Sequence, residues 1–274
     1  MKKPIKKRTR LTICLAGATG WVGRALVPAI IKADDLKLVG AVARSHAGKK
    51  LSDVLGINNP GLIIRSTINE ALTEDCDVLI DYTSPTIVKD NVLFAIEHKV
   101  NVVIGTSGLT DKDFDEIDKA AGKHKVGVLV AGNFAITAVL LQRFAEIAAR
   151  YIPQWEIIDY STDRKLDAPS GTAMELASRL AGVRQPFIQN PADNTIGDKN
   201  SRGASVHGMQ VHSVRLPGFV FSFEAIFGSE NERLTIRHDA GNSAEPYIQG
   251  TLMAVRKIKS FIGLKRGLDS IMEL

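Results

Sequence analysis

The sequence predicts an α/β protein: a doubly wound parallel sheet joined to a second, α+β domain with an open mixed or antiparallel sheet. Three observations predict it. Apolar runs and amphipathic stretches alternate through residues 11–132. A glycine-rich turn, GATGWVGR (17–24), stands between the first apolar run and the stretch after it. Beyond Asn133 the order changes to helix, strand, helix and then successive strand-like runs. Strand–helix alternation implies parallel strands with helical crossovers, whereas consecutive strands imply antiparallel neighbours.

In chain order, LTICLA (11–16), LKLVGAVA (36–43), LIIR (62–65), CDVLIDYT (76–83), NVVIGTS (101–107) and VGVLVAG (126–132) read as strands. They lack the period-2 alternation of a sheet with one wet face, which predicts burial on both faces. VKDNVLFAIEHK (88–99) and DFDEIDKAAGKH (113–124) read as helices between them. AITAVLLQRFAEIAARYI (135–152) predicts a long helix, WEIIDYS (155–161) a strand, and APSGTAMELASRLAG (168–182) a helix ending near Gly182. Residues 183–203, with Pro186, Pro191, Gly197 and Gly203, read as a loop. VHGMQVHSVRL (206–216), GFVFSFEAIFG (218–228) and ERLTIRHDA (232–240) predict antiparallel strands joined by Pro-Gly and Gly-Ser-Glu-Asn turns. A closing helix at 243–262 is expected to return to the first domain.

Composition narrows the function classes. The chain has 274 residues, 45% hydrophobic and 24% charged, as in soluble globular proteins. No apolar run approaches the roughly 20 residues of a membrane span. The formal charge of +5 resides in MKKPIKKRTR (1–10), whose six Lys and Arg leave −1 for the rest. A near-neutral body does not indicate a nucleic-acid face. The basic stretch is too short for a transit peptide and reads as a disordered solubilising tail. Cys14 and Cys76 lie in apolar runs without metal-ligand spacing. Two buried thiols predict a reducing, cytoplasmic compartment and no metal.

GATGWVGR carries Gly17, Gly20 and Gly23 as GxxGxxG. Directly after a first strand, this spacing brings backbone N–H groups and a helix N-terminus against a pyrophosphate. It predicts a Rossmann-like domain, 1–132 plus 242–274, that binds a dinucleotide. Residues 133–241 are then the substrate-binding and oligomerisation domain. The second strand run is followed by Arg44 and Ser45, with His46, Lys49 and Lys50 nearby. NAD sites usually place Asp or Glu there for the ribose 2′-OH, whereas Arg and Ser suit a 2′-phosphate. NADPH is therefore favoured over NADH. The loops GTSG (105–108) and AGNF (131–134) leave the carboxyl ends of strands, where ligands bind in open α/β sheets.

DYSTDRKLDAPSGTA (159–173) places Lys165 ahead of Ser170, a good N-cap. The N–H groups of Gly171 and Thr172 then open a helix, an anion site suited to a small carboxylate.

Together KLDAPSGTA, GATGWVG, IDYTSP (80–85), VIGTSG (103–108), AGNF and HSVRLPG (212–218) resemble the dihydrodipicolinate reductases, from about residue 11 to 274. The resemblance implies a tetramer and NAD(P)H-dependent reduction of a cyclic dicarboxylic imine or enamine in the diaminopimelate route to lysine. It implies cofactor contacts at Gly17, Ala18, Thr19, Gly20, Trp21, Val22, Arg44, Gly105, Thr106, Ser107, Ala131, Gly132, Asn133 and Phe134. It implies substrate contacts at Lys165, Ser170, Gly171 and Thr172. The family also carries adjacent histidines just upstream of the lysine, where this chain has Ser161 and Thr162. Catalysis is therefore expected from Lys165 with Ser161 and Thr162, at reduced efficiency. Asp163, Tyr160, His207 and His212 are the other candidate proton donors. Two alternatives stand beside this reading: a sibling reductase of another carboxylated imine, and a non-catalytic nucleotide-binding paralogue.

Overall fold

The computed structural model describes residues 10–58, 61–72 and 75–273. The proposed basic tail, apart from Arg10, lies outside them. The first six apolar runs contribute five strands: β1 (Leu11–Ala16), β2 (Leu36–Val42), β3 (Val78–Asp81), β4 (Asn101–Ile104) and β5 (Gly127–Val130). Helices α1 (Trp21–Lys32), α2 (Leu51–Leu55), α3 (Ile68–Ala71), α4 (Val88–Glu97) and α5 (Asp111–His124) lie between them. A capping box between Thr110 and Asp113 starts α5. Every residue of β3 and β5 is buried, as the continuous apolar runs predict.

LIIR does not form the expected strand. Its backbone bonds are divided: Arg65 N–H donates to Ala41 O and Ile64 N–H to Lys49 O, both at 2.9 Å. Only isolated bridges result, Val42 with Arg65 and Lys50 with Ile63. The sixth strand of the parallel sheet is instead β11 (Gly263–Arg266), which adds to β5. It carries one apolar side chain, Leu264, on an edge, too little pattern to read as a strand. The sheet order is β11-β5-β4-β3-β1-β2.

Beyond α6 (Ile136–Tyr151), a second sheet forms from β6 (Gln154–Ser161), β7 (Ala204–Val206), β8 (Met209–Arg215), β9 (Phe221–Gly228) and β10 (Arg233–Ala240). Its order is β10-β9-β6-β8-β7. Two connections differ from the sequence reading. VHGMQ is a hairpin turning at His207 and Gly208, both with positive φ, so β7 and β8 are antiparallel partners. β8 runs parallel to β6 and does not pair with β9, so the sheet is mixed and Pro217-Gly218 is no hairpin turn. Residues 216–220 cross the end of β6: Leu216 N–H donates to Ser161 O.

Along β6 every second side chain is buried: Trp155, Ile157, Asp159 and Ser161. Helix α7 (Gly171–Val183) packs on β6, β7 and β8, burying Ala173, Leu176, Ala177 and Leu180. The other face of β6 is half-buried, with Glu156, Ile158 and Tyr160. The closing helix α8 (Glu245–Lys257) packs on α1. By contact density the chain divides into one unit ending at Ile136 and resuming at Ala244, and another of Thr137–Ser243. Among the described residues no helix is long and apolar enough to cross a membrane.

Candidate functional site

In the first unit, glycine shapes the loop between β1 and α1. Gly17 has φ +84°, and a side chain there would overlap the Tyr82 carbonyl. A side chain at Gly23 would overlap the Gly17 carbonyl. Gly17 and Ala18 N–H groups donate to Val42 O at 2.9 and 3.0 Å, fixing the turn against β2. Gly20 caps α1 without a side-chain acceptor, leaving its first-turn N–H groups for a ligand oxygen. Ala18 is buried, whereas Trp21 is exposed and meets the Tyr247 ring edge-on at 5.6 Å. This turn, which excludes side chains, fits the pyrophosphate of a dinucleotide.

Arg44 opens a 3₁₀ turn (Arg44–His46) directly after β2. Arg44, Ser45, Lys49 and Lys50 are exposed. Ser45 Oγ lies 2.9 Å from His46 Nδ1.

Asp81 and Tyr82, which the sequence reading left without roles, organise the neighbouring loops. The buried Asp81 carboxylate accepts from Thr83 N–H at 3.0 Å, Thr83 Oγ1 at 2.7 Å, Thr106 Oγ1 at 2.6 Å and Asn91 Nδ2 at 2.8 Å. The hydroxyl of Thr106 is thus committed, which leaves its backbone and exposed Ser107 for a ligand. Gly105 has no side chain because the Tyr82 ring fills that space. Burial pushes the Tyr82 phenol far above its ordinary value, against the opposing hydrogen bond with Thr251 at 2.8 Å. Phe134 is buried against Tyr82, with ring centroids 6.0 Å apart, and Ala131 is buried too. Gly132 is exposed, and Asn133 Oδ1 accepts from Ala135 N–H at 2.8 Å. Only backbone groups of Ala131 and Phe134 remain to meet a cofactor.

In the second unit, Ser170 caps α7, its Oγ accepting from Ala173 N–H at 3.2 Å. Gly171 is exposed and Thr172 half-buried. Lys165 Nζ lies 2.7 Å from Asp167 Oδ1. That hydrogen bond holds the exposed Asp167 carboxyl below its usual range. Thr162 is half-buried, its Oγ1 donating to Asp163 Oδ1 at 3.0 Å, and its carbonyl accepts from Lys165 N–H at 3.1 Å.

Ser161 does not fit the catalytic role expected of it. It is buried on the helix-facing side of β6, and its Oγ donates to Val220 O at 3.0 Å. Its hydroxyl fastens the crossover segment 216–220. Three other candidate donors are occupied or turned elsewhere. Tyr160 points to the opposite sheet face and donates to Glu224 Oε1 at 2.7 Å. His212 Nε2 lies 2.7 Å from Glu156 Oε2. His207 forms the β7–β8 turn.

Asp159 and Arg215 went unassigned in the sequence and are central here. Asp159 is fully buried, and its Oδ2 accepts from Ser170 N–H at 2.8 Å and Arg215 Nη2 at 3.0 Å. Burial pushes its carboxyl up, but hydrogen bonds from Arg215, Ser213 and Ser170 together hold it below the usual range. The sequence signal was an acid at an inward-facing position of WEIIDYS.

Comparison with known proteins agrees over both units. The family model for the dihydrodipicolinate reductase N-terminus matches residues 11–134, and that for its C-terminus matches 137–269. A 4-hydroxy-tetrahydrodipicolinate reductase of Desulfitobacterium hafniense is 39% identical over 266 residues, covering 96% of this chain and 99% of the relative. One from Halalkalibacterium halodurans is 38% identical over 96% of this chain and all of the relative. The solved dipicolinate-bound dihydrodipicolinate reductase of Paenisporosarcina sp. TG-14 superposes with a TM-score of 0.86 at 31% identity, covering 96% of this chain and 100% of that one. An amine dehydrogenase of Mycobacterium smegmatis, at 13% identity and TM-score 0.65, shares the fold alone. With both halves matched and relatives aligned over nearly their whole length, this chain belongs to the dihydrodipicolinate reductase family of NAD(P)H-dependent oxidoreductases.

Proposed function

We propose that this chain reduces dihydrodipicolinate, or its hydroxylated tetrahydro precursor, to tetrahydrodipicolinate, using NADPH in preference to NADH and turning over slowly. The observation that carries it is the Ser170-capped N-terminus of α7, with Lys165 four residues upstream of Pro169 in the same segment. The relative solved with dipicolinate, a ring dicarboxylate, supports that ligand class.

The N–H groups of Gly171 and Thr172 hold a substrate carboxylate, and Lys165 exchanges Asp167 for the substrate's charge. The nicotinamide, when bound, supplies the hydride. The reduced centre then needs a proton, and a positioned acid usually contributes about 10²–10⁴-fold. Lys165 is the cationic donor of this segment, with Thr162 orienting a water. With Ser161 committed to Val220, neither position of the family's histidine pair supplies a strong acid. That is the reason for slow turnover.

The half-buried face of β6, with its neighbours on β9 and β10, joins Ile158 and Ile226 to Tyr160, Glu224 and Arg237. This mixed face is covered by copies of the chain in a homotetramer. Cys14 and Cys76 are buried free thiols, in keeping with the cytoplasm.

The test is turnover of freshly generated dihydrodipicolinate, with NADPH and NADH titrated in parallel. Lys165→Ala should lower kcat/KM by about 10²-fold or more with cofactor affinity unchanged. Arg44→Asp should weaken NADPH about tenfold while sparing NADH. A wild type that binds NADPH but leaves this substrate untouched points to the sibling reductase, the reading that Ser161 and Thr162 favour.

A further inference from the structure

The segment 162–169 joins the end of β6 to the start of α7, and both of its exits are tied to buried charge. At one exit the Asp159 carboxylate receives the Ser170 N–H at 2.8 Å. At the other, Arg215 Nη2 donates to the Asp167 carbonyl at 2.7 Å and to Asp159 Oδ2 at 3.0 Å. Arg215 Nη1 reaches Asp159 Oδ1 at 3.4 Å and Val214 O at 2.9 Å. Arg215 ends β8, opposite Ser161 in the parallel ladder, and its side chain is 15% exposed. One guanidinium therefore joins strand, loop and helix start.

We infer that Asp159 and Arg215 are a positioning pair, which aims the N–H groups at the start of α7 and sets the place of Lys165 through the Asp167 carbonyl. Neither need touch the substrate. Asp159 is enclosed, and Arg215 spends both terminal nitrogens inside the protein. The planar fork is what lets one side chain serve a carboxylate and a carbonyl together, which a lysine ammonium does poorly. The effect of the pair is on substrate binding before it is on chemistry, because it holds the groups that receive a carboxylate in the ground state. This inference rests on the reading that α7 receives that carboxylate.

Arg215→Met, Arg215→Lys and Asp159→Asn in the full chain test it by two measurements. In turnover, Arg215→Met and Asp159→Asn should raise KM at least tenfold, lower kcat less, and leave NADPH affinity within twofold. Arg215→Lys should recover part of the loss. In amide hydrogen exchange, residues 162–173 should exchange faster in the variants while β9 and β10 keep their protection. A kcat/KM within twofold of wild type, or faster exchange spread evenly over residues 137–243, overturns the inference. If the wild type fails to turn over this substrate, the functional reading falls and the exchange pattern alone decides for or against the pair. If Arg215→Met does not fold, Arg215→Lys carries both measurements.

Discussion

The two units hold their ligand-facing segments by different physics. In the first, space does it: Gly17, Gly23 and Gly105 lie where any side chain would strike the backbone or the Tyr82 ring. In the second, charge does it: Asp159 and Arg215 fasten a loop that contains one glycine at its far end, Gly171, with open space around it. A steric frame depends little on pH or salt and tolerates no added atom. An electrostatic frame tolerates side chains at its surface but depends on protonation and on both partners.

The sharpest way to break this contrast is Gly17→Val. The residue must hold φ +84° and its side chain must displace the Tyr82 carbonyl. Strain and overlap of this kind cost about 2–3 kcal/mol. We expect loss of NADPH binding and a lower melting temperature. The matching change in the second unit, Gly171→Val, meets nothing within contact distance and should leave the melting temperature unmoved. Equal destabilisation by both would show that the second frame is steric as well.

This contrast also explains what was legible in the sequence. The turn at Gly17–Gly23 could be read because its chemistry is local: three glycines at fixed spacing after an apolar run. The Ser170 cap was legible for the same reason. Asp159 and Arg215 stand 56 residues apart and meet only because β8 runs parallel to β6, a pairing that the hydrophobic pattern does not encode. The Pro-Gly and His-Gly signals located turns correctly but not which strands they join. β11 was missed because an edge strand with one apolar residue leaves almost no pattern. Ser161 was misassigned because a serine at the end of a strand does not reveal which face it occupies until register is fixed.

A smaller effect separates the two positions of the family's histidine pair. Thr162 is half-buried at the mouth of the loop, so Thr162→His should cost under about 0.5 kcal/mol and raise turnover if an acid is what the chain lacks. Ser161→His must fit an imidazole into a site that is 2% exposed and release Val220 O. Overpacking there should cost about 1–3 kcal/mol by urea unfolding, without a gain in rate. A stable and faster Ser161→His enzyme would mean that residues 216–220 move aside, and that the crossover is not a fixed part of the frame.

The smallest expected effect tests whether charge tunes the second unit near neutrality. His238 on β10 is buried, with Nδ1 3.2 Å from Thr137 Oγ1 and its ring 5.5 Å from that of Phe223. Burial lowers its pKa below the ordinary histidine value, partly opposed by neighbouring Asp239. The folded protein therefore resists the proton that the unfolded chain accepts below about pH 6.5. Above that pH the imidazole is neutral in both states and contributes no pH dependence. As pH falls from there toward the folded pKa, the unfolded state binds more protons and stability declines. Urea midpoints at pH 7.5 and 5.5 should therefore differ more in the wild type than in His238→Gln, whose amide can still bond Thr137. The difference should appear in unfolding of the second unit and leave NADPH affinity, a property of the glycine-framed turn, untouched. If His238→Gln keeps the full pH dependence, the acid sensitivity of this unit belongs to its carboxylates, with Asp159 first among them.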